Sequence, residues 1–446
     1  MTLRELLGPM AISLLFLVAP SVAVAQATTG QSAMASNVPV LASGVLQQTL
    51  PLEEEEPPNA IIGNVSVSGN YNDNVFPNIT PRQWDVSYLV NPTIAFEETR
   101  PRIEWKASYT PGVEVSQQGL HRDLFAQKFK GNFIWLVSPH GTLEMQQYYT
   151  VTTAPFGGSG IEPGPTISPN ETIFLPNIRQ TLLMSHLLYS YQSSPRTTMG
   201  VGGTYQLQSF DSIPRSGITT PLIHSQVASG EAYIAHKFTQ RSQLGFQYGG
   251  QVLKFQQTNA RTTTHSFLVF DQMGFSDRSV LTVYGGPEYS LTAGQIELNL
   301  GFIVLTFPVR SNQWSGSGGV LYTWTGDRLA ASVDVSRRVS NGGALFGAVE
   351  LTYGKADLAW RFARSWDLDF NIAGADDQLL TSSTGQNEFR TYSGQIGVRR
   401  RLWQNLRFGL YYERLNQTGA INGLAVGNRD IAGASLEYSF LKPVGR

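Results

Sequence analysis

Covalent and metal chemistry starts from a short set of side chains, and this sequence nearly lacks them. It has no cysteine, which removes disulfides, thiolate metal ligands and thiol nucleophiles together. Its histidines are His121, His140, His186, His224, His236 and His265. No two stand in a His-x-x-x-His spacing, so no zinc-binding face is prepared. None stands in a His-x-Ser order. His224-Ser225 and His265-Ser266 are neighbours, which on a strand sends the two side chains to opposite faces, whereas a catalytic triad needs them to converge. His121-Arg122-Asp123 falls in a loop-like stretch, where a hydrogen-bonded histidine is the plain expectation. No glycine loop followed by lysine is present to cradle a phosphate. The expectation is a protein that is not an enzyme and has no catalytic residue, metal or cofactor. His186 and His236 are the first to replace in a test for hidden catalysis.

What remains is a set of charged and amide side chains at every second position. Gln247 and Gln251 oppose Leu244, Phe246, Tyr248 and Val252. Asp334 opposes Leu329, Ala331, Val333 and Val335, and Arg338 continues its face. Asp367 and Asp369 oppose Trp366, Leu368, Phe370 and Ile372. Arg407 and Glu413 oppose Leu406, Phe408, Leu410 and Tyr412. In "VRRR", Arg399 and Arg401 share one face, and Arg400 takes the other, where its long side chain can snorkel to an interface. Near the end, "AGASLEYSF" sets Ala432, Ala434, Leu436, Tyr438 and Phe440 against Gly433, Ser435, Glu437 and Ser439. Each stretch has period two, the mark of a strand with one apolar and one wet face. The chemistry available is solvation and orientation of polar solutes, or ion pairing within a wall.

The composition bounds the environment of these strands. The chain has 446 residues, of which 15% are charged, with a net charge of −1, 44 glycines and 18 tyrosines. Soluble domains average roughly 25% charged residues. No basic surface suggests nucleic acid, and a mean hydropathy of −0.14 is not that of a helical membrane protein. Arg4, the apolar stretch Met10 to Val18 and Ala23-Val24-Ala25 read as a cleavable secretory signal over residues 1–25. Residues 26–59, with Glu53-Glu54-Glu55-Glu56-Pro57-Pro58, read as a flexible leader that cannot bury enough to fold alone.

From residue 60 to 440 the chain reads as strands separated by alternately short and long connections. The short ones contain "EETRPR", "SPHG", "SSPRT", "FTQRS", "FSDRS", "WTGDR", "FARSW" and "LWQN". Longer ones include 155–176, 210–223, 287–313, 373–389 and 416–428. Such alternation fits an all-β, transmembrane, antiparallel up-and-down barrel with short periplasmic turns and longer external loops. The count predicts about eighteen strands. The strand-like stretch 299–309 inside a supposed external loop leaves sixteen open, and it is expected to fold into the mouth or against a neighbouring subunit. Residues 441–446 then form a short extension.

Aromatic residues gather near the short turns: Phe238, Phe275, Trp324, Phe362, Trp366 and Trp403. Amphipathic rings favour the headgroup level of a bilayer. Arg241, Arg278 and Arg328, each close behind one of these rings, are placed to reach lipid phosphates or water. If the apolar faces meet lipid, then Gln247, Gln251, Asp334, Arg338, Asp367, Asp369, Arg399, Arg401, Arg407, Glu413 and Glu437 point inward and line the lumen. A barrel this wide is expected to leave an aqueous channel.

The sequence resembles outer-membrane β-barrel proteins of Gram-negative bacteria. Its terminal alternation through Leu436, Tyr438 and Phe440 is similar to the assembly signal read by their barrel-insertion machinery, although here Leu441 to Arg446 follow. "GNYNDNVF", Gly69 to Phe76, resembles the first hairpin of a β-barrel porin family often encoded near exopolysaccharide export systems. "GGPEYS", "SRRVSNGGALFGAVEL" and "SLEYSFLKPVGR" look like stretches of barrels of that sort. The resemblance implies an outer-membrane location and the lipid bilayer and insertion machinery as partners, with polysaccharide-export components as a further one. The expected function is passive passage of hydrophilic solutes. Export or anchoring of an exopolysaccharide and a structural barrel with a closed lumen are the alternatives, and monomer and homotrimer both stay open.

Overall fold

The computed structural model describes residues 59–75, 82–118, 124–152, 172, 179–211, 224–256, 260–299, 304–342, 347–380, 388–419 and 427–443. The expected signal segment, the leader up to residue 58, His121 and the tip of the 299–309 stretch at 300–303 lie outside the described residues.

Eighteen strands follow one another: β1 (Asn59–Asn72), β2 (Asp85–Arg100), β3 (Ile103–Ser116), β4 (Leu124–Ser138), β5 (Gly141–Thr152), β6 (Arg179–Ser194), β7 (Thr197–Asp211), β8 (Ser225–Lys237) and β9 (Ser242–Phe255). The second half is β10 (Ala260–Ser276), β11 (Ser279–Asn299), β12 (Val304–Thr325), β13 (Leu329–Ser340), β14 (Val349–Ala363), β15 (Trp366–Leu379), β16 (Glu388–Trp403), β17 (Leu406–Gly419) and β18 (Gly427–Pro443). Each pairs antiparallel with the next, and β18 returns to β1 from Ala60↔Pro443 to Asn72↔Ile431. The sheet is therefore a closed up-and-down barrel of eighteen strands, not sixteen. Leu441 to Pro443, expected as an extension, belong to this closing ladder.

The outer face is apolar and bare. Val67, Ile94, Val201, Phe246, Phe267, Leu410 and Leu436 are all exposed large hydrophobic side chains, while their strand neighbours Ser66, Ser68, Gln247, Ser266 and Glu437 are buried. An apolar surface running around the whole sheet is not one that water tolerates. Closure pairs every strand with a neighbour on both sides around the barrel, the condition for crossing hydrocarbon. The barrel spans a membrane with its apolar faces toward lipid.

Eight tight turns lie at one end and nine connections at the other, seven of them longer and two, between β9 and β10 and between β11 and β12, as short as four residues. The tight turns are stitched together by the backbone. The carbonyls of Arg102, His140, Arg196, Arg241, Arg278, Arg328, Ser365 and Asn405 each accept a hydrogen bond from the next hairpin, at 2.7–2.8 Å. Turn backbone that would otherwise lack partners is satisfied in this way.

One expectation about the loops is overturned. The stretch 287–313 is not a loop but the continuation of β11 and β12, which pair without interruption to Asn299↔Val304. The 299–309 stretch thus lengthens two existing strands instead of adding one. β13 follows β12 only as far as Gly318↔Arg337, so the hairpin projects beyond its neighbours. Residues 373–379, also expected in a loop, are the last part of β15.

The candidate channel lumen

The polar faces read from the sequence all point into the barrel, opposite the exposed apolar positions of the same strands. Near the tight-turn end the charges neutralise one another along β14 to β16. Arg399 Nη2 lies 2.8 Å from Asp369 Oδ2, and Arg361 Nε lies 3.2 Å from Asp367 Oδ1. Further along, Lys355 Nζ lies 2.8 Å from Asp357, whose carboxylate also accepts from the Ser332 hydroxyl and the Asn371 amide. On β8 and β9, Gln247 donates to the Glu231 carboxylate at 2.8 Å. Glu437 accepts from Asn64 across the β1–β18 seam. Arg401 and Arg407 stand directly opposite each other in the β16–β17 ladder. Gln251, Asp334 and Arg338 occupy the same inward face of β9 and β13.

Several inward residues were missed by the sequence reading. Lys355, Asp357 and Arg361 carry the same two-residue period in "KADLAWR", and their ion pairs make them part of the charged wall. Glu231 and Glu288 stand alone among uncharged neighbours, and Arg429 sits beside Asp430 at the start of its strand, so none had a comparable signal.

The lumen narrows at the long-connection end. The largest completely buried side chains are Tyr353, Phe255, Phe270, Phe389, Leu253, Leu351 and Leu415. All but Phe270 lie within four residues of that end of their strand. Glu413 and Arg429 are buried there too, 3.8 Å apart. The described part of the β13–β14 connection explains part of this. Asn341 Nδ2 donates to Gln208 Oε1 on β7 at 2.9 Å and to the Ser225 hydroxyl at the start of β8 at 3.0 Å. Val339 and Ala348 pack with Val227, Leu253 and Phe255 of β8 and β9, and the Val339 N–H donates to Glu288 of β11. Five strand spacings separate β13 from β8, about 24 Å along the wall at the usual interstrand distance. These contacts therefore cross the interior. A freely open channel of full barrel width is not what the structure contains.

On the outer face, Phe238, Phe275, Phe362 and Trp403 are exposed near the tight turns, with Trp324 and Trp366 half-buried. Leu436, Tyr438 and Phe440 are exposed along β18. Arg400 faces outward as expected, but it lies over the Trp366 ring at 5.1 Å, a cation–π contact of the kind that favours arginine. Two of the turn arginines are committed to neighbouring turns: Arg278 bonds Asp327 at 3.0 Å and Arg241 lies 3.6 Å from Asp277.

The histidines are scattered. His186 is buried on the inner wall with the Thr204 hydroxyl at 3.0 Å. His236 and His265 face outward beside Thr197 and Tyr248. His224 accepts from the Phe210 N–H at 3.1 Å. No two of these described histidines converge on a common point, and each makes its contact separately.

No protein-family model and no curated protein matches the sequence. Among solved structures the chain is similar to Pseudomonas aeruginosa OpdQ at 12% identity, covering 87% of this chain and 99% of that one with a TM-score of 0.39. It is also similar to Pseudomonas aeruginosa OccK8 (OprE) at 9% identity, covering 86% and 98% with a TM-score of 0.39. The ferric-catecholate import receptor Fiu from E. coli K12 aligns at 8% identity over 88% and 82%, with a TM-score of 0.45. The fold of this chain rests on its own strand register.

Proposed function

We propose that the barrel is an outer-membrane channel for small hydrophilic solutes, narrowed at the external mouth and not an enzyme. The tight turns would face the periplasm and the long connections the exterior. The observation that carries this reading is the charged inner wall, where Arg399–Asp369 and Arg361–Asp367 remain partly accessible behind the apolar belt of the outer face. A wall that served only to hold strands together has no need of charges kept in contact with water, whereas a solute path does. The contacts of Asn341 with β7 and β8 favour a restricted path over a wide one, and a lumen closed at rest is the second reading.

Single-channel recording of the refolded full chain in a planar bilayer tests the proposal. Small steady conductance is expected, with Asp369→Asn shifting ion preference toward anions and Arg399→Gln shifting it toward cations. Correctly inserted protein that never conducts would sink the channel reading and leave the closed barrel.

A further inference from the structure

At the long-connection end of the outer face, basic residues generally stand next to acids. Arg337 lies 2.6 Å from Glu350, Arg390 lies 3.7 Å from Asp376, and Arg414 lies 3.7 Å from Asp430. Arg179 stands opposite Asp211 in the β6–β7 ladder. One arc breaks this pattern. Lys254 on β9 is directly opposite Arg261 on β10, and Arg261 and Arg310 flank the same small residue of β11, Ala293. All three cations are exposed and take the outward face. Among the described residues none has an acidic partner. In the ladder the next acid along β11, Glu297, comes four residues after Ala293.

Like charges directly opposite on a strand pair destabilise the sheet, and the arc spans about 14 Å at ordinary strand spacing. Below it lies a cluster of aromatic rings. Tyr289 and Trp314 are 5.0 Å apart, Tyr248 lies 5.0 Å from Phe267, and Trp314 is 68% exposed. Rings of this kind mark the headgroup level. Arg261 is four residues beyond His265 and Arg310 four before Trp314, which places the cations about 13 Å along the strand from the rings, on the water side. From this juxtaposition we infer that Lys254, Arg261 and Arg310 form a docking surface for the phosphate groups of a lipid headgroup in the leaflet at the long-connection end. The inference rests on the barrel spanning a membrane, and it holds whether or not the lumen conducts.

The test uses the full chain refolded in neutral detergent and titrated with lipid A in its phosphorylated and dephosphorylated forms. The native chain is expected to bind the phosphorylated form more tightly. Lys254→Gln, Arg261→Gln and Arg310→Gln combined should lose affinity by about fivefold for each basic side chain removed. Arg261→Lys with Arg310→Lys should retain most of it, since the charge persists. The gel shift between heated and unheated samples reports assembly. If the combined variant does not assemble, Arg261→Gln alone carries the same comparison. Equal affinity for the two forms, or a variant that binds as the native chain does, overturns the assignment. A phosphate-free anionic lipid, a sulfolipid, binding as tightly as phosphorylated lipid A overturns the phosphate assignment in favour of a nonspecific charge effect. None of these residues faces the lumen, so conductance should be unchanged in every variant.

Discussion

Inward-facing glycines recur opposite aromatic side chains on the neighbouring strand. Gly200 stands opposite Tyr233, Gly245 opposite Phe270, Gly419 opposite Phe389 and Gly433 opposite Tyr411. In each pair the ring lies over the glycine, in the space a Cβ would take. Rings laid flat against the wall bury themselves without reaching into the lumen, and the missing side chain is what permits it. Gly245→Ala would place a Cβ inside the Phe270 ring and 2.8 Å from the Ile234 carbonyl oxygen. It is expected to lower stability by about 1–3 kcal/mol through overpacking, read as a lower unfolding temperature in detergent. Gly354→Ala, where nothing lies within 4 Å, is expected to gain roughly 0.5–1 kcal/mol from reduced chain entropy. A Gly245→Ala protein as stable as the native one would show that the wall repacks freely. None of these pairs could be read from the sequence, because period two fixes the face of a residue but not its cross-strand partner. The facing of Gln247 or Asp369 was legible for the same reason that the partner of Gly245 was not.

At the level of elements, the strands and the tight turns were legible and the long connections were not. Each tight turn is bracketed by alternating runs that fix its position within a residue or two. Long connections carry no such period, so β15 and the β11–β12 hairpin were cut short. The inward course of the β13–β14 connection had no signal beyond the glycines of "SNGGALFG". Gly342 does adopt a positive φ of 62°, a conformation that favours glycine, but this marks a turn and not its direction. Asn341 is what ties that connection across the lumen. Asn341→Ala removes two buried hydrogen bonds and leaves the Gln208 acceptor without this donor, a loss of about 1–3 kcal/mol. Conductance should rise as the contact loosens. The chain has no native cysteine, so Asn341→Cys combined with Ser225→Cys gives a clean crosslinking test. A short bis-thiol reagent, which spans the hydrogen-bonded separation of the two side chains, should bridge the pair and hold conductance at its low level. Failure to crosslink in assembled protein would mean that the connection does not lie against β8.

The whole barrel depends on one pairing that its local hairpins do not provide. Seventeen ladders join consecutive strands, whereas β1 and β18 come from opposite ends of the chain. Bringing those ends together closes a loop of nearly the whole chain, an entropy cost on the order of 5 kcal/mol. The seam offsets this with a ladder running from Ala60↔Pro443 to Asn72↔Ile431, with the Phe440 ring laid over Gly63 and with the Asn64–Glu437 contact on the inner side. The alternation through Leu436, Tyr438 and Phe440 made the last strand legible, but its extension past Phe440 was hidden because Lys442 and Pro443 break the apolar pattern. The extension matters for closure. Ile62, Ile61 and Ala60 pair with Leu441, Lys442 and Pro443, and Ala60 is completely buried there. Removing residues 441–446 strips those three pairs from the seam at the tight-turn end, while removing only 444–446 leaves them intact. The shorter deletion should assemble as the native chain does, and the longer one should give a smaller heat-shifted fraction and unfold at a lower temperature. Equal behaviour of the two would mean that the seam is complete at Phe440 and that the last three pairs contribute nothing to closure.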